Sequence, residues 1–391
     1  MTTTRTRNRW AILAVAVAAQ AATSSLVYGL PFLLPAIRSA EDLSLAQAGS
    51  VTVAPVLGVL VALIAWGAAA DRFGERVVMA IGMTGTGAAA VGASFAPGVG
   101  ALVVLLVVAG VFSASISAAS GRAVLGWFGP AERGLAMGIR QTCQPIGVGV
   151  AALALPPVAQ HADYRVALLV PAALCLGCAV LVGAVLVDPP RKPAKSVEAT
   201  RSPYRTARLW RVHVASALLV VPQFVAGTFA LTYLVSEQGW DPVAAGAALA
   251  VVQVLGAAGR IGAGVWSDRA GSRMRPMRTI ALVVALSLLI WAAGDAAWGW
   301  VAVAGVVLVT VVSVTDNGLG FTATAEQAGP FWAGRALGVQ NTGQNAVALA
   351  VAPVFGVLIP ATGWAWALVI AAAVPLAAVA VIPVRGETLG D

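Results

Sequence analysis

Apolar residues occur along this chain in long uninterrupted blocks, and short stretches between the blocks carry most of the charge. A helix needs roughly 20 apolar residues to cross a bilayer core, so the blocks are long enough to span a membrane. The pattern predicts twelve spanning helices and an all-α membrane protein without a sizeable soluble domain. Their approximate limits are 10–37, 44–70, 76–96, 99–128, 133–159, 163–187, 209–235, 242–266, 276–296, 298–325, 333–359 and 363–385.

The first block follows a basic start, TRTRNRWAILAVAVAAQAA, which could be mistaken for a secretory signal peptide. Its apolar stretch continues to Ile37, which is too long for the hydrophobic region of a cleavable signal, and further apolar blocks follow. We expect it to be retained as the first spanning helix.

Positive charges predict the orientation of the helices. The chain has 24 Lys and Arg residues and a formal net charge of +8. With the N-terminus inside, Arg38 and Arg165 fall near the outer face, and the other basic residues fall on or near the cytoplasmic face. Because short cytoplasmic loops are rich in Lys and Arg, we expect a multi-pass cell-membrane protein with both termini in the cytoplasm. The basic character therefore reports topology and does not indicate nucleic-acid binding.

The reactive residues do not form a recognisable catalytic or metal site. Cys143, Cys175 and Cys178 lie in predicted helices, and we interpret them as small packing residues. His161 and His213 lie at helix ends far apart in the sequence, without an H-E-x-x-H or nucleophile-elbow pattern. There is no phosphate-binding G-x-x-x-x-G-K-[ST] loop either. An enzyme, an ATP-driven pump and a bound cofactor are therefore not expected.

A charged motif occurs twice. GAAADRFGER (67–76) and GVWSDRAGSR (264–273) share the pattern G-x-x-x-D-R-x-G-x-R at a shift of 197 positions. A second pair, GPAERGLAMGIRQTCQ (129–144) and GPFWAGRALGVQNTGQ (329–344), matches at a shift of 200. Two matches at nearly the same shift indicate an internal duplication of six helices plus six.

The duplication predicts two parallel six-helix halves related by a pseudo-twofold axis along the membrane normal. The halves would be residues 1–187 and 209–391, joined by a charged, Pro-rich cytoplasmic linker over 188–208. This arrangement and the repeated signature resemble the major facilitator superfamily over the whole chain. The resemblance implies a central cavity and a secondary transporter that works by alternating access in the lipid bilayer. We expect a monomer.

The resemblance also implies that the two signature copies form a cytoplasmic gate. Asp71 and Asp268 would lie near helix N-termini of the opposite half, where the helix dipole favours a carboxylate. Small residues would let the helices approach closely. The predicted gating residues are Gly67, Asp71, Arg72, Gly74, Arg76, Gly264, Asp268, Arg269, Gly271 and Arg273. The alternative is that the arginines only maintain topology, which does not explain the repeated Asp and Gly.

Polar residues are distributed unevenly between the helices. The third, sixth, ninth and twelfth are almost bare, whereas the others carry Gln, Asn, Ser, Thr and Tyr. We therefore expect every third helix to face lipid and the rest to enclose a solvated cavity for a small-molecule substrate. The predicted cavity residues are Gln20, Tyr28, Gln144, Gln223, Tyr233, Arg260, Asn317, Gln340, Asn341 and Gln344.

Asp316 is the only carboxylate well inside a predicted helix. It precedes the turn at Gly329 by thirteen residues, or about 20 Å of helix. An ionised carboxylate at this depth is costly unless it is paired or exposed to a cavity. It is interpreted either as a proton- or cation-coupling site, or as a structural partner for an arginine or for Asn317.

Arg260 occupies the eighth helix, in AAGRIGAGVWSDR. It resembles the arginine that monocarboxylate and oxalate–formate carriers hold there for substrate carboxylates, and LVYGLPFLLPAI with LSLAQAG also resembles the start of those carriers. A guanidinium suits bidentate binding of a carboxylate. Alternatively, Arg260 braces the gating turn through Asp268. Arg122 and Arg140, with Glu326 as a possible partner, are expected to be structural.

Two hypotheses for the substrate remain open. The first is proton-coupled transport of a small organic anion or polar metabolite, and the second is proton-driven efflux of lipophilic compounds. Drug exporters of the superfamily carry an arginine early in helix 4, where this chain reads LLVVAG, and a glycine pattern in helix 5 that QPIGVG matches only in part. Helix 11 has no lysine, which disfavours a dicarboxylate carrier that uses a second cation there.

Overall fold

The computed structural model describes residues 9–43, 45–189, 202–385 and 387. Over these residues the chain is helical, with two short 3₁₀ segments at Leu30–Leu33 and Pro203–Arg205. The helices are α1 (Arg9–Val27), α2 (Leu34–Ala40), α3 (Leu45–Phe73), α4 (Glu75–Ser94), α5 (Val99–Leu125), α6 (Arg133–Arg140), α7 (Cys143–His161), α8 (Tyr164–Val185), α9 (Ala207–Ser236), α10 (Pro242–Ala270), α11 (Met274–Ala297), α12 (Gly299–Val312), α13 (Asn317–Ala328), α14 (Ala333–Thr362) and α15 (Trp364–Val381).

Twelve helical spans in the described residues are long and apolar enough to cross a membrane. They follow the twelve predicted blocks in order and approximate limits, so the prediction of an all-α membrane protein is confirmed. Most of the predicted linker, residues 190–201, lies outside the described residues. Three spans differ from the prediction because each is divided into two helices: the first (α1 and α2), the fifth (α6 and α7) and the tenth (α12 and α13).

Two of the divided spans have local causes in the sequence. In the fifth span, Pro145 lies in the first turn of α7 and has no N–H to donate to the carbonyl of Gln141, four residues earlier. In the tenth, Thr315 bonds with its hydroxyl to the carbonyl of Val312 at 2.7 Å. Such side-chain bonds compete with the helical pattern and favour a turn. Each break therefore leaves backbone carbonyls in need of other donors.

The chain groups into two compact units. Unit 1 comprises Met1–Phe128, Thr142–Thr200 and Pro330–Thr342, and unit 2 comprises Gly129–Gln141, Arg201–Gly329 and Gly343–Asp391. Each unit therefore includes a short segment from the other part of the chain. That segment carries α6 in unit 2 and the start of α14 in unit 1.

Each unit has its own apolar core. In unit 1, α5 packs between α3 and α4, and α4 packs on α8, with buried Leu, Ala and Ile side chains at the contacts. In unit 2, α11 packs on α12 and α15, and α10 packs on α6. The largest wholly buried side chains of that core include Trp291 and Tyr233. This packing fixes the positions of the helices that carry the polar residues.

Candidate functional site

The carboxylate of Asp71 caps a helix in unit 1. Asp71 lies in the last turn of α3, and its Oδ1 accepts a hydrogen bond from the Gly334 N–H at 2.9 Å. Its Oδ2 accepts one from the Arg335 N–H at 3.1 Å. These N–H groups belong to the first turn of α14, where they have no intrahelical partner. The contact thus joins a negative charge to the positive end of a helix dipole.

Close backbone approach makes this cap possible. A Cβ atom at Gly67 would lie 2.4 Å from the carbonyl oxygen of Gly334. A Cβ atom at Gly334 would lie 2.5 Å from the carbonyl oxygen of Gly67 and 2.7 Å from Oδ1 of Asp71. All three distances are far shorter than a van der Waals contact, so any side chain at either position would separate α3 from α14.

Arg122 of α5 supplies the cation for this carboxylate. Its Nη1 donates to Oδ1 of Asp71 at 2.5 Å, and its Nε lies 2.5 Å from Oε1 of Glu75. All three side chains are at most 8% exposed. The network is therefore a buried one, and Arg122 takes part in it although the sequence pattern pointed to arginines of the motif itself.

The motif arginines Arg72 and Arg76 have other contacts. Arg72 is exposed and its guanidinium lies 5.2 Å from the ring centroid of Phe73. The backbone N–H of Arg76 donates to Oδ1 of Asp188 at 2.7 Å, and its guanidinium donates to the carbonyl of Gly183. The intervening Gly74 has φ of 96°, which favours glycine, and a Cβ there would meet the Asp188 carboxylate.

Asp268 repeats the cap in unit 2. Its Oδ1 accepts a hydrogen bond from the Gly134 N–H at 2.9 Å and its Oδ2 accepts one from the Leu135 N–H at 2.8 Å, both in the first turn of α6. A Cβ at Gly264 would lie 2.1 Å from the Gly134 carbonyl oxygen. The two signature copies therefore place an aspartate and a glycine on a helix N-terminus in the same way.

The second copy recruits its own arginine. The wholly buried Arg273 donates to Oδ1 of Asp268, to the carbonyl of Pro130 at 2.7 Å and to Oε1 of Glu326 at 3.2 Å. Glu326 also lies 3.6 Å from Arg133. Arg269, in contrast, is exposed, and Gly271 has φ of 57° in the turn between them.

A second pair of acidic residues caps helices at the same ends of the units. Glu387 accepts hydrogen bonds from the backbone N–H of Arg273 at 2.7 Å and of Met274 at 3.1 Å, at the start of α11. Asp188 occupies the corresponding place at the start of α4. Neither residue was predicted from the sequence, although they lie 199 positions apart and so fit the internal duplication.

Arg260 donates to two backbone carbonyls of unit 2 that lie at helix breaks. Its Nε donates to the carbonyl of Val314 at 3.2 Å, in the break between α12 and α13. Its Nη1 donates to the carbonyl of Gln141, in the break between α6 and α7. The second of these is the carbonyl that Pro145 leaves without a helical donor. The guanidinium, 6% exposed, thus replaces a missing backbone hydrogen bond.

Asp316 lies in the same polar region. It is 2% exposed, directly precedes α13, and lies two residues after Val314, whose carbonyl accepts from Arg260. The next residue, Asn317, donates from Nδ2 to Oε1 of Gln223 on α9 at 3.1 Å. Gln141, Gln223, Arg260, Asp316 and Asn317 form what we call the polar cluster of unit 2. The structure therefore brings four of the predicted site residues together.

Arg140 borders this cluster at the end of α6. It is 4% exposed, its Nη1 donates to Oε1 of Gln141 at 2.6 Å, and its guanidinium lies 5.8 Å from the ring centroid of Phe321. A stacked arginine that also forms a hydrogen bond is strongly positioned. Arg140 was expected from the sequence to be structural.

Two other predicted cavity residues of unit 2 lie elsewhere. Tyr233 is ten residues beyond Gln223 on α9, or about 15 Å of helix. Its hydroxyl donates to Oδ1 of Asp295 at 3.0 Å, and its ring packs edge-on against Trp291 and Trp364. Gln344 is a buried residue of α14. Neither belongs to the polar cluster as defined above.

The predicted cavity residues of unit 1 are spread over three helical regions. Gln20 of α1 donates to Oγ of Ser117 at 3.1 Å and accepts from Oγ of Ser120 at 3.3 Å. Its amide therefore connects α1 to α5. The remaining ones lie at the break after α1, at the start of α7 and on the first turns of α14: Tyr28, Gln144, Gln340 and Asn341.

The spans, the paired aspartate caps and the buried charges at helix breaks define a class: a multi-pass helical transporter. The family model of the Major Facilitator Superfamily matches residues 12–353. The chain belongs to this superfamily, whose members are transporters and not enzymes, and it is an integral membrane protein.

Three curated relatives are similar to this chain. An uncharacterized MFS-type transporter of Mycobacterium tuberculosis is 42% identical over 380 residues, covering 96% of this chain and 85% of the relative. A probable sulfoacetate transporter of Cupriavidus necator is 28% identical, covering 84% and 82%. The puromycin resistance protein pur8 of Streptomyces alboniger is 31% identical over 183 residues, covering 46% and 33%.

Among solved structures, the proton:xylose symporter XylE has a similar fold. The TM-score is 0.76 and the alignment covers 97% of each chain. Since the sequences are 17% identical, this similarity describes the fold and not the substrate.

Proposed function

We propose that the protein is a proton-coupled secondary transporter of a small organic anion, working by alternating access in the cell membrane with both termini in the cytoplasm. The observation that carries the proposal is the burial of Arg260 and Asp316 at one helix break, where Arg260 donates to the carbonyl of Val314, two residues before Asp316. Charged groups inside membrane spans are costly, and such groups are retained for function.

Arg260 is proposed to bind the anion. The hydrogen bonds described above lead from its guanidinium to neutral backbone carbonyls of Val314 and Gln141. A carboxylate or sulfonate forms shorter, charge-assisted bonds, which are roughly twice as strong as neutral ones. An arriving anion is therefore expected to displace these carbonyls, and their release would loosen both helix breaks.

Asp316 is proposed to couple this step to protons. While Asp316 is ionised, it offsets the charge of Arg260 and repels an anion. Once Asp316 takes up a proton, the charge of Arg260 is available to the substrate. Proton binding and anion binding then favour each other, and by linkage each raises the affinity for the other by the same factor.

The aspartate caps are proposed to act as the cytoplasmic gate. Asp71 and Asp268 each satisfy two backbone N–H groups of a helix N-terminus, which gives the closed gate a defined geometry. A cap of this kind is worth only a few kcal/mol, so its formation and rupture suit a reversible step in a transport cycle.

The relatives support two substrate classes to different extents. The sulfoacetate transporter, similar over most of both chains, favours a small organic anion. The puromycin resistance protein, similar over less than half of this chain, supports the alternative of proton-driven efflux of a lipophilic compound. In that case Asp316 would keep its role in proton coupling, and Arg260 would not determine the substrate.

Binding by the detergent-purified protein tests the first point. Small carboxylates and sulfonates are expected to raise the thermal unfolding midpoint of the wild type, and Arg260→Gln is expected to lose this effect. Arg278→Gln, which removes an exposed arginine of α11, is the matched control. Stabilisation by lipophilic cations that persists in Arg260→Gln would favour efflux instead.

Flux into proteoliposomes tests the coupling. An inward proton gradient should drive accumulation of the anion by the wild type. Asp316→Asn should retain exchange of external for internal anion but lose accumulation driven by the gradient. If Asp316→Asn still accumulates anion against its gradient, Asp316 is not the coupling residue.

A further inference from the structure

Two buried arginines of unit 2 contact the same residue. Arg140 donates to the side-chain Oε1 of Gln141 at 2.6 Å, and Arg260 donates to the main-chain oxygen of Gln141. The arginines are 4% and 6% exposed. One neutral residue thus offers one carbonyl-type oxygen to each guanidinium.

The helix packing makes this arrangement well defined. Arg140 lies seven residues after the start of α6, and Arg260 lies eight residues before Asp268, whose carboxylate caps α6. Both positions are therefore about 10–12 Å of helix from that cap. Between them the backbones nearly touch, since a Cβ at Gly138 would lie 2.6 Å from the carbonyl oxygen of Arg260.

Unlike the motif aspartates, these two arginines are not repeated by the internal duplication. Asp71 of the first copy corresponds to Asp268 of the second at the shift of 197. In contrast, Arg140 corresponds to Gln340 at the shift of 200, and Arg260 corresponds to Leu63 at the shift of 197. These two cations therefore occur in one copy each, and both donate to Gln141 in one unit.

We propose that Arg140 and Arg260 together bind the two acidic groups of a small dianion, and that Gln141 occupies their place when no substrate is bound. The proposal rests on the proposed function, since it names the substrate class of the same site. The two oxygens of Gln141 are joined through five carbon atoms, so a dianion with up to about five carbons spans the same gap. Each acidic group would gain a charge-assisted pair with a guanidinium.

The second cation of the proposed site comes from a different helix than the sequence comparison with dicarboxylate carriers considered. The absence of a lysine in the eleventh span disfavours a dicarboxylate carrier that takes its second cation from that helix. The structure offers a second cation from the fifth span instead. Arg140 would then be the residue that distinguishes dianions from monoanions, whereas Arg260 would be needed for both.

The test compares ligand affinities of the purified full-length protein by thermal stabilisation. The probes are the dianions malonate and glutarate, their monomethyl esters as monoanions of similar shape, and the longer dianion sebacate. We expect the wild type to bind malonate or glutarate at least tenfold more tightly than the corresponding ester, and to bind sebacate weakly. This comparison needs no variant.

Variants then assign the preference to Arg140. Arg140→Gln should reduce the preference for dianion over ester to less than threefold, with ester affinity kept within threefold. Arg140→Lys should retain most of the preference for dianion over ester. This variant replaces Arg140→Gln in the test if Arg140→Gln fails to fold. Arg260→Gln should lose both ligands, and the exposed Arg278→Gln should behave as the wild type.

The outcomes separate the two proposals. If Arg140→Gln folds and keeps the full dianion preference while Arg260→Gln loses binding, Arg140 is structural and this inference is wrong, although an anion transporter remains. Equal affinity of the wild type for diacid and ester also overturns it. If no anion stabilises the wild type and lipophilic compounds do, the proposed function itself fails.

Discussion

Replacement of Gly67 by alanine tests whether close packing positions the Asp71 cap. An added Cβ would lie 2.4 Å from the Gly334 carbonyl oxygen, so α3 and α14 must separate by about 1 Å to reach ordinary contact. A movement of that size would stretch the Asp71 bonds to Gly334 and Arg335, now 2.9 and 3.1 Å, beyond hydrogen-bond range.

The expected energy follows from the same geometry. Two hydrogen bonds to a charged group contribute about 1.5–3 kcal/mol each. Alanine in place of a helical glycine returns about 1 kcal/mol through higher helix propensity. The net loss at this contact is therefore about 2–5 kcal/mol, and the sign is opposite to what helix propensity alone predicts.

Hydrogen exchange of the α14 N-terminus measures this loss directly. In the Gly67→Ala variant, the amides of Gly334 and Arg335 should exchange at least tenfold faster than in the wild type. Gly343→Ala is the matched control, because a Cβ at that position meets nothing within 4 Å, and it should leave exchange unchanged. Unchanged protection in Gly67→Ala, with a thermal midpoint equal to or above that of the wild type, would refute the reasoning.

Two further predictions concern charged groups in unit 1. Hydrogen bonds from Tyr164 and Arg165 hold the pKa of Glu41 below its ordinary value of 4.5. The resulting stability is complete above pH 4.5 and is lost as the pH falls through the lowered pKa. Glu41→Gln should therefore lower the thermal midpoint at pH 7 and match the wild type at strongly acidic pH; a deficit that is constant with pH would contradict this. Arg122→Gln leaves the buried Asp71 without its cation and should cost roughly 3–5 kcal/mol, seen as a lower thermal midpoint, whereas a midpoint equal to that of the wild type would show that the ion network contributes nothing.

The spanning helices could be predicted because they have a strong local signal, whereas the aspartate caps were expected from the resemblance of a repeated motif to a known family. Span length follows from hydropathy alone, and Asp71 and Asp268 stand in a motif that occurs twice. The helix breaks were not predicted, since a Pro145 inside an apolar block leaves hydropathy unchanged. The hydrogen bond from Arg260 to the Gln141 carbonyl was not predicted either, since it depends on which helix packs beside the break.

Arginines at the same position of the two motif copies have different contacts in the structure. Arg76 and Arg273 occupy the same motif position, yet Arg273 bonds to its aspartate and Arg76 reaches the end of α8. The preceding residue also differs between the copies. It is Glu75 in the first copy, which pairs with Arg122, and Ser272 in the second. Such a choice depends on contacts between helices distant in sequence, which a motif does not encode.

The grouping of the chain into units has a consequence for biogenesis. Unit 1 includes Pro330–Thr342, which the ribosome makes after most of the chain. Until that segment is synthesised, the Asp71 carboxylate has neither the Gly334 nor the Arg335 N–H to accept from. A first half synthesised alone therefore lacks the donors that cap Asp71, and this unit becomes complete only when the eleventh span is inserted.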